Sequence, residues 1–237
     1  MNQRSDLIDT TEMYLRTVLE LEEEGFIPLR SRIAERLGQS VPTASETVAR
    51  MQRDGLLVVG PDRHVQLTLA GRLAATQVMR KHRLAECLLV DVIGLDWQLA
   101  HEEACRWEHV MSEAVERRVV DILGHPTKSP YGNPIPGLGE LGEDSGEKDP
   151  REPGDLRPTN MIPLTEVPKE AGTVIVRRIG EPIQADTVLL GRLRRAGFQL
   201  NTAVPVSQVN GKVRIGAGEQ AAELDYATAA HLFVTVG

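Results

Sequence analysis

The stretch from Arg30 to Leu69 admits few arrangements. Ile33, Ala34 and Leu37 mark the inward side of a short helix over 30–37, which Gly38-Gln39-Ser40 interrupts. Pro42 then stands in the first turn of the next helix, where a missing N–H costs nothing. In that helix Ala44, Val48 and Met51 recur at i, i+4 and i+7, the spacing of a buried stripe, which turns Thr43, Glu46, Thr47 and Arg50 outward. Gly55 ends it. Leu56–Val59 and Val65–Leu69 flank Gly-Pro-Asp-Arg, a turn between two strands. Upstream, Leu7, Tyr14, Leu15, Val18 and Leu21 give a helix over 6–24, stopped by Gly25. Helix, helix, turn, helix and hairpin is the order of a winged helix-turn-helix, which lays its last helix in a DNA major groove.

From Gly71 to about Leu123 long helices return. One runs through Val78, His82, Glu86 and Leu89 and breaks near Gly94, one covers Gln98 to His109, and one covers Glu113 to Leu123. Leu84, Leu88, Val92, Trp107, Val110 and Val115 exceed what one helical layer can bury, so a homodimer interface is expected. His125 to Leu138 is proline-rich and expected to be extended, and residues 139 to 160 are poor in hydrophobics and expected to be a flexible linker. Thr173–Ile179, Ala203–Gln208, Lys212–Ile215 and His231–Val236 read as strands, with Asn210-Gly211 a hairpin turn and Thr187–Ala196 a helix. Short strands over about 75 residues indicate a small barrel-like domain. The expected domains are 1–74, 75–140, a linker over 141–160, and 161–237, and the fold is mainly α with α+β parts.

Composition narrows the partners. A net charge of −7 argues against a generic nucleic-acid coat but not against a local DNA-contacting patch. Aromatic residues make up only 3%, too few for base-stacking modes of single-strand binding. Two cysteines in 237 residues make no disulfide framework. The start, Met-Asn-Gln-Arg-Ser-Asp, lacks the apolar run of a signal peptide and no stretch approaches membrane-spanning length, so the cytoplasm is the expected compartment.

On a helix, His101, Cys105, Glu108 and His109 fall at i, i+4, i+7 and i+8, one stripe that ordinarily would be apolar. All four are ligand types for a first-row transition metal. One candidate site is Cys105, Glu108 and His109 with Met13 as a fourth donor; a second is His82, Glu86 and His101. Soft sulfur beside imidazole and carboxylate suits Fe2+ or a neighbouring ion better than Mg2+ or Ca2+. Each residue alone has a plainer reading: Met13 as core, Cys105 as a small buried hydrophobe, the glutamates as solvated charges, His82 with Glu86 as a surface pair. The coincidence of spacings over two segments favours metal. Cys87 points off the His82/Glu86 face and reads as a buried thiol, while His64, His125 and His231 read as structural or surface residues. A metalloenzyme is the rival from another class, but there is no His-Glu-x-x-His, no Gly-rich phosphate loop and no nucleophile–base pair. Metal storage leaves the winged helix unexplained.

Five segments are similar to the iron-dependent regulators of the diphtheria toxin repressor type (DtxR/IdeR). They are Asp9-Thr-Thr-Glu-Met-Tyr-Leu-Arg-Thr17, Ile33-Ala-Glu-Arg-Leu37, Val78-Met-Arg-Lys-His-Arg-Leu-Ala-Glu86, Glu103-Ala-Cys-Arg-Trp-Glu-His-Val-Met-Ser112 and Gly132-Asn-Pro-Ile-Pro-Gly137. The resemblance covers about the first 140 residues nearly continuously and the last 75 more weakly. It implies a homodimeric, metal-activated, non-enzymatic repressor with a winged helix, a helical dimerisation domain and a C-terminal SH3-like domain. It implies a primary, activating site at Met13, Cys105 (with its carbonyl), Glu108 and His109. It also implies an ancillary site at His82, Glu86 and His101 completed by Glu181 and Gln184, with an anion held by Arg83, Ser129 and Asn133. Retention of Met13 and Cys105 points to Fe2+, two sites per subunit, with Mn2+, Co2+, Ni2+ or Zn2+ as substitutes in vitro.

The expected partner is a palindromic DNA operator, with no membrane and no small-molecule substrate. Ser40, Pro42 and Glu46 match the family's base-contacting positions, and Arg30, Thr43, Ser45, Arg50 and Arg53 are candidates for phosphate contacts. The family usually has Gln where Glu46 stands. A carboxylate accepts hydrogen bonds only, so it cannot make the bidentate Gln–adenine contact. Finally, an SH3-like domain and a proline-rich segment in one chain suggest an internal ligand near Pro130 to Pro136, from which Glu181 and Gln184 swing to the ancillary metal on activation.

Overall fold

A computed structural model describes residues 3–142 and 161–236, so most of the expected linker, 141–160, lies outside the described residues. The chain divides into two compact units. Of the described residues, 3–88, 104–127 and 135–142 form the first, and 89–103, 128–134 and 161–236 the second.

The first unit opens with α1 (Gln3–Glu23), α2 (Arg30–Arg36) and α3 (Val41–Arg53), followed by β1 (Leu57–Val59) and β2 (Val65–Leu67). Tyr14, Leu15 and Val18 of α1 share one core with Ile33, the α3 stripe Ala44/Val48/Met51, Leu57 and Val65. The reading helix starts where a cap is available: Ser40 Oγ accepts from Thr43 N at 3.2 Å, with Pro42 inside the first turn. The wing strands pair antiparallel, Leu57 opposite Leu67 and Val59 opposite Val65. The second strand is shorter than its apolar pattern because Thr68 leaves the ladder. Its hydroxyl donates to Gly55 O at 2.7 Å and accepts from Gly71 N at 3.1 Å, capping α4 (Leu69–Cys87) two residues earlier than the sequence suggests. At Gly71 the helix passes so close to the wing that a methyl group would lie 2.0 Å from Leu56 O.

The expected boundary between residues 74 and 75 falls inside α4, and both sides of it belong to the first unit. The break near Gly94 is reached through a π-helical turn, Leu88–Ile93, with Gly94 at φ +75°. α5 (Ala100–Trp107) is shorter than the span to His109: the chain turns at residues 108–110, so Glu108 and His109 lie just past its last residue. The regular stripe from His101 to His109 therefore does not continue to its end. α6 (Glu113–Leu123) follows, ending at Gly124 in the left-handed region, φ +70°. A buried Arg80 on α4 ties this layer together, donating to Glu116 at 2.6 Å, to Gly137 O at 2.7 Å and to Glu140 at 2.8 Å. Val110, Val115 and Ile122 stay exposed, an apolar face on and beside α6.

The second unit is a six-stranded antiparallel sheet of β3 (Ile162–Pro163), β4 (Thr173–Ile179), β5 (Ala203–Val209), β6 (Lys212–Ile215), β7 (Ala222–Leu224) and β8 (Leu232–Val236), in the order β3-β8-β4-β5-β6-β7. Asn210 and Gly211 both take positive φ, 51° and 74°, as a tight two-residue hairpin turn requires. Three α-helical pieces lie among its strands: α7 (Glu181–Gln184), α8 (Thr187–Arg195) and α9 (Tyr226–Ala229). Only α8 was legible as a helix, since four-residue pieces carry no period.

Residues 128–134 belong to this unit and are not fully extended. Lys128 bridges to Pro134, and the loop between them closes through Ser129 N to Asn133 O (2.8 Å) and Gly132 N to Ser129 O (2.9 Å). The loop is held on β4: Ile179 N donates to Tyr131 O at 2.9 Å and Asn133 Nδ2 donates to Ile179 O at 2.9 Å. Among the described residues no helix is long and apolar enough to cross a membrane.

Candidate metal centre

In the first unit, α1, α4 and the end of α5 bring a dense set of charges together. Glu108 is fully buried. Its Oε2 accepts from Arg16 Nη1 of α1 and from His82 Nδ1 of α4, the latter at 2.6 Å. His82 Nε2 lies 2.8 Å from Glu86 Oε1, one helical turn on. Carboxylates face both ring nitrogens, so both carry protons. Burial would lower the His82 pKa, but Glu86, with Cys105 and Glu108, outweighs burial and Arg16 and holds it well above its ordinary value. For Glu108, burial raises the pKa, but Arg16, then His82 and His109, bring it below the usual carboxylate range.

The other side of Glu108 looks different. Its Oε1 is buried without a hydrogen-bond partner, although it lies 3.3 Å from His109 Nε2. His109 Nδ1 donates to Glu12 Oε2 at 2.6 Å, so the ring's other nitrogen is the one turned to Glu108. The 3.3 Å contact is not aligned as a hydrogen bond, so the pair offers a cation an open carboxylate oxygen beside an imidazole nitrogen. Cys105 Sγ is part of the same cluster, 3.5 Å from Arg16 Nη1. Thiol, carboxylate and imidazole are donor types that suit a divalent first-row cation, although Cys105 lies on the Oε2 side of Glu108, its ligand atom within 4.8 Å of that of His82 from the other expected set. Met13 adjoins Glu12 on α1; its backbone carbonyl accepts from the Thr17 hydroxyl at 2.8 Å.

The remaining expected ligands divide between the units. His101 is buried on α5, one turn before Cys105, but in the segment 89–103 of the second unit. Glu181 and Gln184 are buried on α7 in the second unit, where Gln184 Nε2 donates to Glu181 Oε2 (2.9 Å) and Ile179 O (2.6 Å). Asn133 Oδ1 accepts from Arg178 Nε, and Ser129 is buried in the same loop. Arg83, expected to hold an anion with Ser129 and Asn133, lies fully buried in the first unit and grips Glu23 through both nitrogens, at 3.0 and 2.6 Å.

Sequence reasoning missed Glu12, Arg16, Glu20 and Glu23. For Glu12 there was a signal: an imidazole ligand needs a partner for its other nitrogen, and a carboxylate beside Met13 is well placed to serve. Arg16 follows Met13 by three residues, on the same side of α1.

On the DNA-reading side, Ser40, Pro42, Thr43, Glu46 and Arg53 are exposed, while Arg30, Ser45 and Arg50 are half-buried. Ser45 Oγ is spent on Val41 O at 2.8 Å. Tyr14, the residue after Met13, is buried and donates its hydroxyl to Gln39 in the turn before α3.

Comparison with known proteins points one way. Residues 6–65 match the family model described as the N-terminal DNA binding domain of iron dependent repressors. Residues 68–137 match the model of their metal binding and dimerisation domain. The chain is 58% identical over 208 residues to the iron-dependent repressor IdeR of Mycobacterium tuberculosis, covering 87% of each. It is 52% identical over 220 residues to the diphtheria toxin repressor of Corynebacterium diphtheriae, covering 92% of this chain and 93% of the relative. Among solved structures, a manganese-dependent transcriptional repressor in complex with manganese superposes with a TM-score of 0.73 at 27% identity, covering 96% of this chain and all of the other.

Proposed function

Because this chain belongs to the iron-dependent repressor family, we propose that it is an Fe2+-sensing member whose activating ligands are Met13, Cys105, Glu108 and His109. The chain is a metal-activated, DNA-binding transcriptional repressor that works as a homodimer, not an enzyme. The observation supporting the ligand assignment is the His109–Glu108 pair, with Glu12 holding the other His109 nitrogen and Glu108 Oε1 left without a hydrogen bond. Retention of the soft donor Cys105 supports Fe2+ over harder ions.

The mechanism follows from which elements carry the donors. Glu12 and Met13 sit on α1; Cys105 lies on α5, with Glu108 and His109 just past its end. A bound cation supplies positive charge shared between these two elements. α1 in turn contacts the reading head through Tyr14 and Gln39. Fixing α1 thus lowers the ordering cost of seating α3 in the major groove, and linkage makes metal and operator mutually reinforcing. Ser40, Pro42 and Glu46 face the bases and Arg30, Thr43, Ser45, Arg50 and Arg53 the phosphates of a palindromic operator, in the cytoplasm. Glu46 disfavours an adenine at its position. The proposal extends to a second, ancillary Fe2+ held in the first unit by His82 and Glu86. Mn2+, Co2+, Ni2+ and Zn2+ stand in for Fe2+ in vitro.

The test is a metal-titrated operator-binding assay, without oxygen, on the wild type, Cys105→Ala and His82→Ala. Binding should appear with Fe2+, vanish with chelator, be abolished by Cys105→Ala and be weakened by His82→Ala. Metal-independent binding by the wild type would remove the reading.

A further inference from the structure

The candidate ligands already share a cation that belongs to the chain. Arg16 is buried, and its Nη1 meets three groups of the cluster: Glu108 Oε2, His82 Nδ1 at 3.1 Å and Cys105 Sγ at 3.5 Å. The other edge of the same guanidinium points elsewhere. Arg16 Nε lies 2.9 Å from Glu20 Oε1, one turn further along α1. That contact is close but not aligned as a hydrogen bond, since both atoms are buried without a hydrogen-bond partner. The guanidinium thus hydrogen-bonds on the Glu108 side and meets Glu20 as an ion pair that is not aligned as a hydrogen bond.

Glu20 is itself nearly fully buried, and its second oxygen accepts from Arg36 Nη1 of α2 at 3.2 Å. Arg36 also holds Glu24 through Nη2 at 2.9 Å. The charges therefore run Glu108, Arg16, Glu20, Arg36, Glu24 from the ligand cluster into the first helix of the helix-turn-helix, alternating in sign throughout.

We propose that Arg16 is a resident counter-ion of the metal ligands, neutralising Glu108 when no metal is bound and passing to Glu20 when metal enters. The proposal rests on the assignment of Glu108 as a ligand. A guanidinium and a dication on the two oxygens of one buried carboxylate repel each other in a site with little water to screen them. Arginine cannot relieve that conflict by losing its proton, so it must move. Glu20 is an acceptor already in contact and offers an unaligned oxygen to complete. As Glu20 turns to Arg16, Arg36 shifts its weight to Glu24, and metal occupancy is registered on α2.

Two substitutions separate this from a merely structural role, because they act on metal affinity with opposite signs. Arg16→Gln removes the competitor. The full-length chain without metal should melt lower than wild type, yet bind Co2+ more tightly, by about tenfold, the worth of one modest charge interaction. Glu20→Gln keeps the competitor but removes its destination, and Co2+ should bind about tenfold more weakly. Both are read by calorimetric titration and by thermal melting with and without Co2+, in the absence of DNA. Weaker or unchanged binding by Arg16→Gln overturns the proposal, as does tighter or unchanged binding by Glu20→Gln. If Arg16→Gln does not fold, Arg16→Met, which keeps the apolar stem without the charge, takes its place with the same expected sign. Glu108→Gln is the control for the underlying reading. If it leaves Co2+ affinity unchanged, the ligand assignment has failed and the proposal with it. If it abolishes binding while the two test variants shift together, only the counter-ion role has failed.

Discussion

Glu108 Oε2 and His82 Nδ1 are 2.6 Å apart, a direct hydrogen bond between residues that sequence spacing assigned to two different metal sites. The two candidate ligand sets are thus in contact through buried side chains rather than merely neighbours along a helix. Since the bond joins two charged, buried groups, their contributions cannot be additive. A double-mutant cycle of Glu108→Gln and His82→Gln, measured by denaturant unfolding of the chain without metal, should return an interaction energy of about 1–3 kcal/mol. Additivity within about 0.5 kcal/mol would show that the bond carries no energy.

Under the proposed ligand assignment, Glu12 supports the metal centre without belonging to the ligand set. Its carboxylate fixes the His109 ring by accepting from Nδ1. Glu12→Gln keeps the shape but offers a weaker, neutral acceptor, and should cost about 10-fold to 100-fold in metal affinity. The melting temperature without metal should change little. Titration of both proteins with Co2+ gives the comparison, and equal affinities would contradict the orienting role.

Tyr14 relates the metal end of α1 to the reading head. Tyr14→Phe keeps the buried ring and removes only the hydroxyl that Gln39 accepts from. The loss should be about 1 kcal/mol of stability, and operator affinity at saturating metal should fall by a comparable factor. Fluorescence anisotropy with labelled operator reads the second quantity; a stability loss with no change in operator affinity would sever Tyr14 from the signal.

Gly132 permits the loop 128–134 to lie on β4. It takes φ +81°, and a methyl group there would sit 2.1 Å from Arg177 O. Gly132→Ala should detach the loop and destabilise the second unit by more than about 2 kcal/mol. Trp97 is a ready probe, since its Nε1 donates to Pro130 O at 3.2 Å and its ring lies 5.2 Å from that of Tyr131. In a Trp107→Phe background its emission should shift to the red; an unchanged spectrum would mean that the loop stays in place.

Asp225 provides a pH-dependent contribution in the second unit. Its carboxylate accepts from Thr228 N at 2.7 Å at the start of α9. The backbone N–H of Thr228, then its side chain, hold the acid below its ordinary value of 3.8. A depressed folded value means stabilisation present above the unfolded pKa and lost as pH falls through the folded one. Asp225→Ala should therefore lower stability at pH 7 by about 0.5–1 kcal/mol, and the difference from wild type should shrink as pH falls below 3.8. A difference independent of pH would assign the effect to packing instead.

Much of this arrangement was legible because local periodicity carried it. The α3 stripe of Ala44, Val48 and Met51, the turn at Gly-Pro-Asp-Arg and the limits of α6 follow from spacing and from residues with restricted backbones. That Cys105, Glu108 and His109 lie near one another was visible for the same reason. What spacing could not supply was pairing between distant residues. Arg16 and Glu108 lie 92 residues apart, and Arg83 and Glu23 lie 60 apart, so neither bond leaves a trace in any local window. The end of α5 was misjudged because Glu108 N still bonds to Ala104 O while the following residues turn away. Short pieces such as α7 and β3 fall below the length at which a period can be recognised.

Gly71 leaves α4 no slack. The helix that carries His82 and Glu86 begins pressed against the carbonyl of Leu56 at the base of the wing, with no room for even one carbon atom between them. From Leu69 to His82 is about 20 Å of uninterrupted helix, thirteen residues at about 1.5 Å each. In mechanical terms α4 is a strut seated directly on the part it pushes, so a displacement of a fraction of an ångström at His82 has no compliant joint in which to be lost. A shift at His82 would therefore be carried along the helix to the wing rather than absorbed on the way.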